Sequence, residues 1–298
     1  MAKFEAAIGR YVWLEIQGVE YRVYFEEAGQ GIPLICQHTA GSDGKQWRHF
    51  LTDPEITSRF RVIVPDLPYH GKSLPPESQE WWATEYRLTK SFFINFHVTL
   101  KRALDCENPV FIGSSTGGHL APDLALDCPD EYSAVIGLEA CLKTGVGSDE
   151  DIRAAFRYFR HPRVNGTDRA AAAMYCINGP RSPEKYKREV AWSYSQDAPG
   201  VFAGDLNYYN IEHDLRETAH PTNPRKRTFI RSPGARARRA SRGLWQWISS
   251  RGSRGQGDPS PRTSPRLVRA GQAKAQSAVH RSSRPAGIGE RSRRHLRS

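Results

Sequence analysis

Nowhere in this 298-residue chain do eighteen apolar residues follow one another. A helix needs about that many to cross a bilayer, so no membrane segment is expected. The five cysteines (36, 106, 128, 141 and 176) are odd in number and scattered, and none forms a C-x-x-C pair. That spacing excludes the usual zinc and redox motifs, leaves no metal site to propose, and reads as buried reduced thiols in a reducing compartment. The start, Met1-Ala2-Lys3-Phe4-Glu5, lacks an apolar signal region, so the expected location is cytoplasmic. Acidic residues almost disappear from the last quarter. From His220 onward lie 20 of the 43 Lys and Arg but only 2 of the 32 Asp and Glu. The formal charge of +11 therefore belongs to the tail, and residues 1–219 carry 30 acidic and 23 basic groups.

What is present up to about residue 219 is regular. Tyr11–Ile16 and Val19–Phe25 flank Gln17-Gly18, which predicts a β-hairpin. Pro33–Cys36, Arg61–Pro65, Pro109–Ile112 and Ala134–Leu138 are short apolar runs, as strands covered on both faces should be. Trp81 to Leu104 carries apolar residues at helical spacing and predicts one long helix. Strands alternating with helices predict an α/β fold, a mostly parallel sheet with helices on both faces. Ser148–Asp151 reads as a capping box, opening a helix whose apolar stripe is Ile152, Ala155, Phe156 and Phe159. Ser182-Pro183 reads as a second helix start, Ser as cap and Pro first in the helix. Three segments are expected: a core over 1–147, a helical lid over 148–219, and a basic, disordered, low-complexity tail over 220–298.

Three motifs follow strands in order. His38-Thr39-Ala40-Gly41-Ser42 comes after the third strand and Asp66-Leu67-Pro68-Tyr69-His70-Gly71-Lys72-Ser73 after the fourth. Gly113-Ser114-Ser115-Thr116-Gly117 is a G-x-S-x-G run between a strand and the helix beginning Gly118-His119-Leu120. A serine at a sharp strand-to-helix bend is a nucleophile elbow, and a Cβ at Gly113 or Gly117 would collide with backbone there. Together the motifs resemble the lid-bearing α/β-hydrolases over about residues 18–217. Pro122 falls one and a half turns into the elbow helix, which predicts a late helix start or a bend.

The resemblance implies a serine hydrolase acting through an acyl-enzyme on a small ester, thioester or related carbonyl compound, with no cofactor. Ser115 is the expected nucleophile. The backbone N–H groups of Thr116 and Ala40 are the expected oxyanion donors, although Thr39 stands where the family has Gly and the loop is one residue shorter. Glu139, after the strand that follows the elbow, is the candidate acid. His38, His70 and Asp66 are expected to hold loops, and His97 and His119 to be packed helix residues. The family's histidine follows its last strand. No such strand is legible after Glu217, and neither His280 nor His295 has one before it.

That absence suggests a reading-frame shift near His220. A native basic tail is the alternative: it would attract phosphate backbones weakly and without specificity, because apart from Phe229, Trp245 and Trp247 it has no aromatic residues. A truncated, non-catalytic hydrolase fold or a binding module with such a tail is the competing functional reading. The expected partner is a small-molecule substrate.

Overall fold

The computed structural model describes residues 2–3, 8–145, 147–157, 166–218 and 227–231. Its framework is a seven-stranded sheet in the order β1-β2-β4-β3-β5-β6-β7. The strands are β1 (Gly9–Ile16), β2 (Val19–Ala28), β3 (Ile32–Gln37), β4 (Phe60–Pro65), β5 (Val110–Ser114), β6 (Ala134–Leu138) and β7 (Arg227–Arg231). β1 and β2 form the predicted hairpin, turned by Gln17 and Gly18 at positive φ. β2 joins β4 antiparallel, and every pairing from β4 through β7 is parallel.

Alternation along the central strands divides the core in two. Ile35, Ile63, Phe111 and Val135 face one side, where helix α3 (Lys90–Ala103) packs Phe93, Phe96 and Leu100 and helix α4 (Thr116–Asp127) packs Leu120 and Leu124. Leu34, Cys36, Val62, Val64, Ile112 and Ile136 face the other, against Trp47, Leu51 and Ile56 from a 3₁₀ turn and short helices α1 (Arg48–Thr52) and α2 (Pro54–Thr57). Burying each large apolar side chain in this way contributes about 1.5–3 kcal/mol. The expected mostly parallel sheet with helices on both faces is thus observed.

Among the described residues four more helices follow β6: α5 (Asp149–Ala155), α6 (Thr167–Ile177), α7 (Glu184–Tyr194) and α8 (Val201–Asn207), the last running into a π turn, Tyr208–Glu212. Ser148 and Asp151 form the expected reciprocal capping box. No helix among the described residues is long and apolar enough to span a membrane.

Several expectations are corrected. The stretch from Trp81 is one 3₁₀ turn, and α3 starts only at Lys90. The Leu88 amide donates instead to the Gly204 carbonyl, and Thr89 caps the helix by accepting from the Phe92 amide. Of the two alternatives for Pro122, the late start is overturned: helix α4 begins directly at the elbow with Pro122 inside it, the Ser115 carbonyl already accepting the His119 amide at 2.8 Å. Pro183 is the cap of α7 rather than its first residue, its ψ of 138° being extended. The cysteines are all unpaired, but Cys176 is exposed near the end of α6 rather than buried. β7 lies inside the segment read as tail: Thr228-Phe229-Ile230 favours a strand, but flanking arginines hide so short a run from pattern reading. The other tail residues, with His280 and His295, and Phe159 of the predicted stripe, lie outside the described residues.

Candidate active site

The bend between β5 and α4 is made by backbone contact. An ideal Cβ on Gly113 would sit 2.1 Å from the Gly117 carbonyl oxygen, and one on Gly117 would sit 2.8 Å from the carbonyl oxygens of both Gln37 and His38. Both clashes were expected from the motif. Between these glycines Ser115 is held at φ 52°, ψ −111°, a conformation that costs a non-glycine residue about 1–3 kcal/mol. Its amide donates to the Leu138 carbonyl at 2.9 Å, locking the bend to the end of β6.

Ser115 opens into a cavity of about 760 Å³ between the sheet's loops and helices α6–α8. Ala40 and Glu139 line the same cavity, with Tyr194, Phe202 and Tyr209 on the helical side. The Ser115 side chain is within hydrogen-bonding reach of the Tyr209 phenol, which burial pushes above its ordinary pKa. Glu139 also has positive φ, 55°, and accepts a 3.4 Å bond from the Ser114 hydroxyl. Thr116 is buried at the first position of α4, where backbone N–H groups have no helical acceptor. Gly117 rests on Gln37 and His38, so the loop carrying Ala40 lies against the elbow.

Five of the six described histidines spend their ring nitrogens elsewhere. His38 Nδ1 donates to the Thr39 carbonyl at 2.8 Å while Nε2 accepts the Leu67 amide at 3.1 Å. Burial and the neighbouring His70 lower its pKa to about 4. His97 donates from Nε2 to Gln37 Oε1, and burial takes it down to about 3. His119 Nδ1 donates to the Ser115 backbone carbonyl at 2.7 Å, not to the hydroxyl, and Nε2 faces the Cys141 thiol at 3.4 Å. Burial holds it at about 4. His213 bridges Asp123 Oδ2 (2.9 Å) and the Cys141 carbonyl (2.8 Å). His49, exposed, is the histidine that lines the cavity among the described residues, its ring edge-on to Tyr186.

His70 and Asp66 hold loops, as their motif positions suggested. Asp66 accepts the Gly44 amide at 2.7 Å and the Lys72 amide at 2.9 Å. Burial raises its pKa to about 6 against the pull of those amides. Burial opposes charge on His70 too, yet the charge of Asp205 and a 2.8 Å bond to it raise its pKa to about 10.

Sequence reading missed Asp205, His213 and the role of Tyr209. The phenol stood in an aromatic-rich stretch that reads as packing. The two others form buried polar bonds between segments more than eighty residues apart, which no local pattern reports.

The profile of the alpha/beta hydrolase fold matches residues 32–191. A 2-hydroxy-6-oxo-6-phenylhexa-2,4-dienoate hydrolase from Burkholderia cepacia is 26% identical over 169 residues, covering 54% of this chain and 56% of that protein. The magnesium-chelatase 30 kDa subunit of Rhodobacter capsulatus is 32% identical over 121 residues, covering 38% and 36%. The chain thus spans from about a third to just over half of these curated relatives' length. Among solved structures, a thermophilic esterase from Thermogutta terrifontis superposes with a TM-score of 0.65 at 18% identity, over 81% of this chain and 98% of that one. An enol-lactonase from Burkholderia xenovorans gives 0.56, also at 18% identity, over 74% and 80%. Matched over more than half its length by the family profile, the chain belongs to the α/β hydrolase fold family.

Proposed function

We propose that this chain is a hydrolase that uses Ser115 as its nucleophile. The observation that carries the reading is the strained serine at the β5–α4 bend, facing the 760 Å³ cavity that Ala40 and Glu139 also line. In this reading the Ser115 hydroxyl attacks a carbonyl carbon. The amides of Thr116 and Ala40 receive the oxyanion, and each such donor lowers the barrier by about 3 kcal/mol. The hydroxyl's proton passes to the general base of the site and from it to the leaving group as the carbonyl–leaving-group bond breaks, and water then hydrolyses the acyl-enzyme to the acid, restoring the serine. Glu139 serves as the acid of the site, and helices α5–α8 serve as the lid.

The substrate class is a small ester, thioester or related carbonyl compound. The cavity lies within the size range of small-molecule sites, and its helical wall offers the rings of Tyr194, Phe202 and Tyr209. The Burkholderia cepacia relative is named as the hydrolase of an oxo-dienoate, which supports including carbonyl compounds other than esters. A fluorophosphonate probe tests the proposal, because it reacts only with a serine that a working base activates. Labelling is expected in the wild type and absent in Ser115→Ala. Label that survives the substitution removes Ser115 from the mechanism.

A second reading, a hydrolase fold without turnover, is favoured by one observation: five of the six described histidines direct ring nitrogens to partners other than the Ser115 hydroxyl. A folded wild type that takes no label selects it.

A further inference from the structure

We infer that Asp205 is a positioning residue, reaching from helix α8 to set the direction of the Ala40 amide. The inference rests on the proposed role of Ala40 as an oxyanion donor. Asp205 is 1% exposed. Its Oδ2 accepts two bonds of 2.8 Å, one from the Gly41 amide and one from His70 Nε2. Its Oδ1 accepts a 3.3 Å bond from the Tyr86 hydroxyl. Since His70 Nδ1 also donates, to the Pro68 carbonyl at 2.9 Å, both ring nitrogens are donors and the imidazolium balances the buried carboxylate.

The consequence for Ala40 follows from peptide planarity. No cis peptide bond is present among the described residues, so in each unit of this loop the N–H and C=O point in opposite directions. The unit before Thr39 is fixed by its amide's 2.8 Å bond to Gln46 Oε1. The unit carrying the Ala40 N–H is fixed at its other end, where the Thr39 carbonyl accepts from His38 Nδ1. That bond turns the Ala40 N–H away from His38. The next unit is fixed by Asp205 through the Gly41 amide. Helix α8 grips the loop a second time through Phe202, whose ring lies 2.7 Å from where a Gly41 Cβ would sit, with Gly41 at φ +58°. Two of the three units are thus held from within the loop region and the third from the helical segment. The Ala40 donor is fully aimed only when that segment is docked.

Amide hydrogen exchange at Gly41 and the saturation kinetics of fluorophosphonate labelling test this. In the wild type the Gly41 amide should be strongly protected. In Asp205→Asn, which keeps the shape but removes the charge paired with His70, protection should fall. The maximal labelling rate should then drop about 10- to 100-fold with little change in the probe concentration at half-saturation. Tyr86→Phe, which touches the same carboxylate without reaching Gly41, should stay within about twofold of wild type. An unprotected Gly41 amide in the wild type, or an Asp205→Asn protein labelled at the wild-type maximal rate, overturns the inference. Should Asp205→Asn fail to fold, Asp205→Glu gives the same two readings with the charge retained and the oxygen displaced. In a wild type that takes no label, the Ser115 reading falls by itself. Loss of Gly41 protection in Asp205→Asn then still supports the clasp, and unchanged protection overturns it.

Discussion

Replacing Gly113 by alanine puts a methyl group where the elbow has no room. The new Cβ would lie 2.1 Å from the Gly117 carbonyl oxygen and 2.3 Å from its carbon, while real Cβ atoms essentially never come closer than 3.0 Å to another heavy atom. Both neighbours are backbone, so no rotamer change relieves the contact and the bend must open by about 1 Å. Gly113 and Gly117 bracket Ser115, so the opening falls on the hydroxyl and on the Thr116 amide together. A displacement of that size in a reacting geometry costs about 100-fold in rate. Forcing an extra carbon into a filled site costs about 1–3 kcal/mol of stability. Two measurements on one preparation separate these effects: the fluorophosphonate labelling rate, and the urea midpoint of unfolding. The expected result is a fold that persists at a lower midpoint and labels about 100-fold more slowly. Gly18→Ala is the comparison, since its methyl would meet nothing within 4 Å and only the φ of +77° is unfavourable. A Gly113→Ala protein that labels at the wild-type rate would refute the account of the bend.

Ser115→Gly should lose all labelling yet unfold at a higher urea concentration, because glycine accepts φ 52°, ψ −111° without strain. The gain should be about 1 kcal/mol once its greater backbone entropy is subtracted. An unchanged or lower midpoint would contradict it. Asp123 is fully buried, accepting the Tyr208 hydroxyl at 2.6 Å and His213 Nδ1 at 2.9 Å, with Lys90 Nζ at 3.0 Å. Burial favours its neutral form, but these partners together hold its carboxyl below the ordinary value. Asp123→Asn should therefore cost about 3 kcal/mol in equilibrium unfolding, and a change below 1 kcal/mol would show the network to be dispensable. The His70–Asp205 pair gives a pH signature. The ring's pKa is raised in the fold from 6.5 to about 10, so its stabilisation is complete below about pH 6.5 and is lost as pH rises toward 10. Thermal unfolding between pH 7 and 10 should show a fall in Tm that is shallower in His70→Gln, and parallel curves would exclude the pair as its source.

What could be read in the sequence was what repeats locally. The strands β1 to β6 follow from alternating or continuous apolar runs, and the elbow follows from two glycines whose missing side chains are its physical requirement. The limits were equally local in origin. Nothing near Trp81 announces that the Leu88 amide will bond to Gly204, more than a hundred residues away, and delay helix α3. β7 has two apolar residues among its five, too few to stand out from an arginine-rich background. The cavity is lined by Ser115, Ala40 and Glu139 from three separate loops; the G-x-S-x-G motif nominated Ser115, and the family resemblance nominated the other two. The carboxylate behind Gly41 was invisible, because its importance lies in being buried next to a charged ring, and burial between distant segments leaves no periodic trace.

Helix α4 and strand β6 touch through their main chains. A Cβ on Gly118 would lie 2.2 Å from the Leu138 carbonyl oxygen, and one on Gly137 would lie 2.5 Å from the Gly118 carbonyl oxygen. Ser115 caps that helix and Glu139 directly follows that strand, so the two residues are carried by elements whose main chains meet at Gly118 and Gly137. That backbone contact ties the end of β6 to the start of α4 independently of the helices that follow β6. A side chain added at either glycine would therefore push the Ser115 bend away from Glu139, which is a second handle on the same geometry.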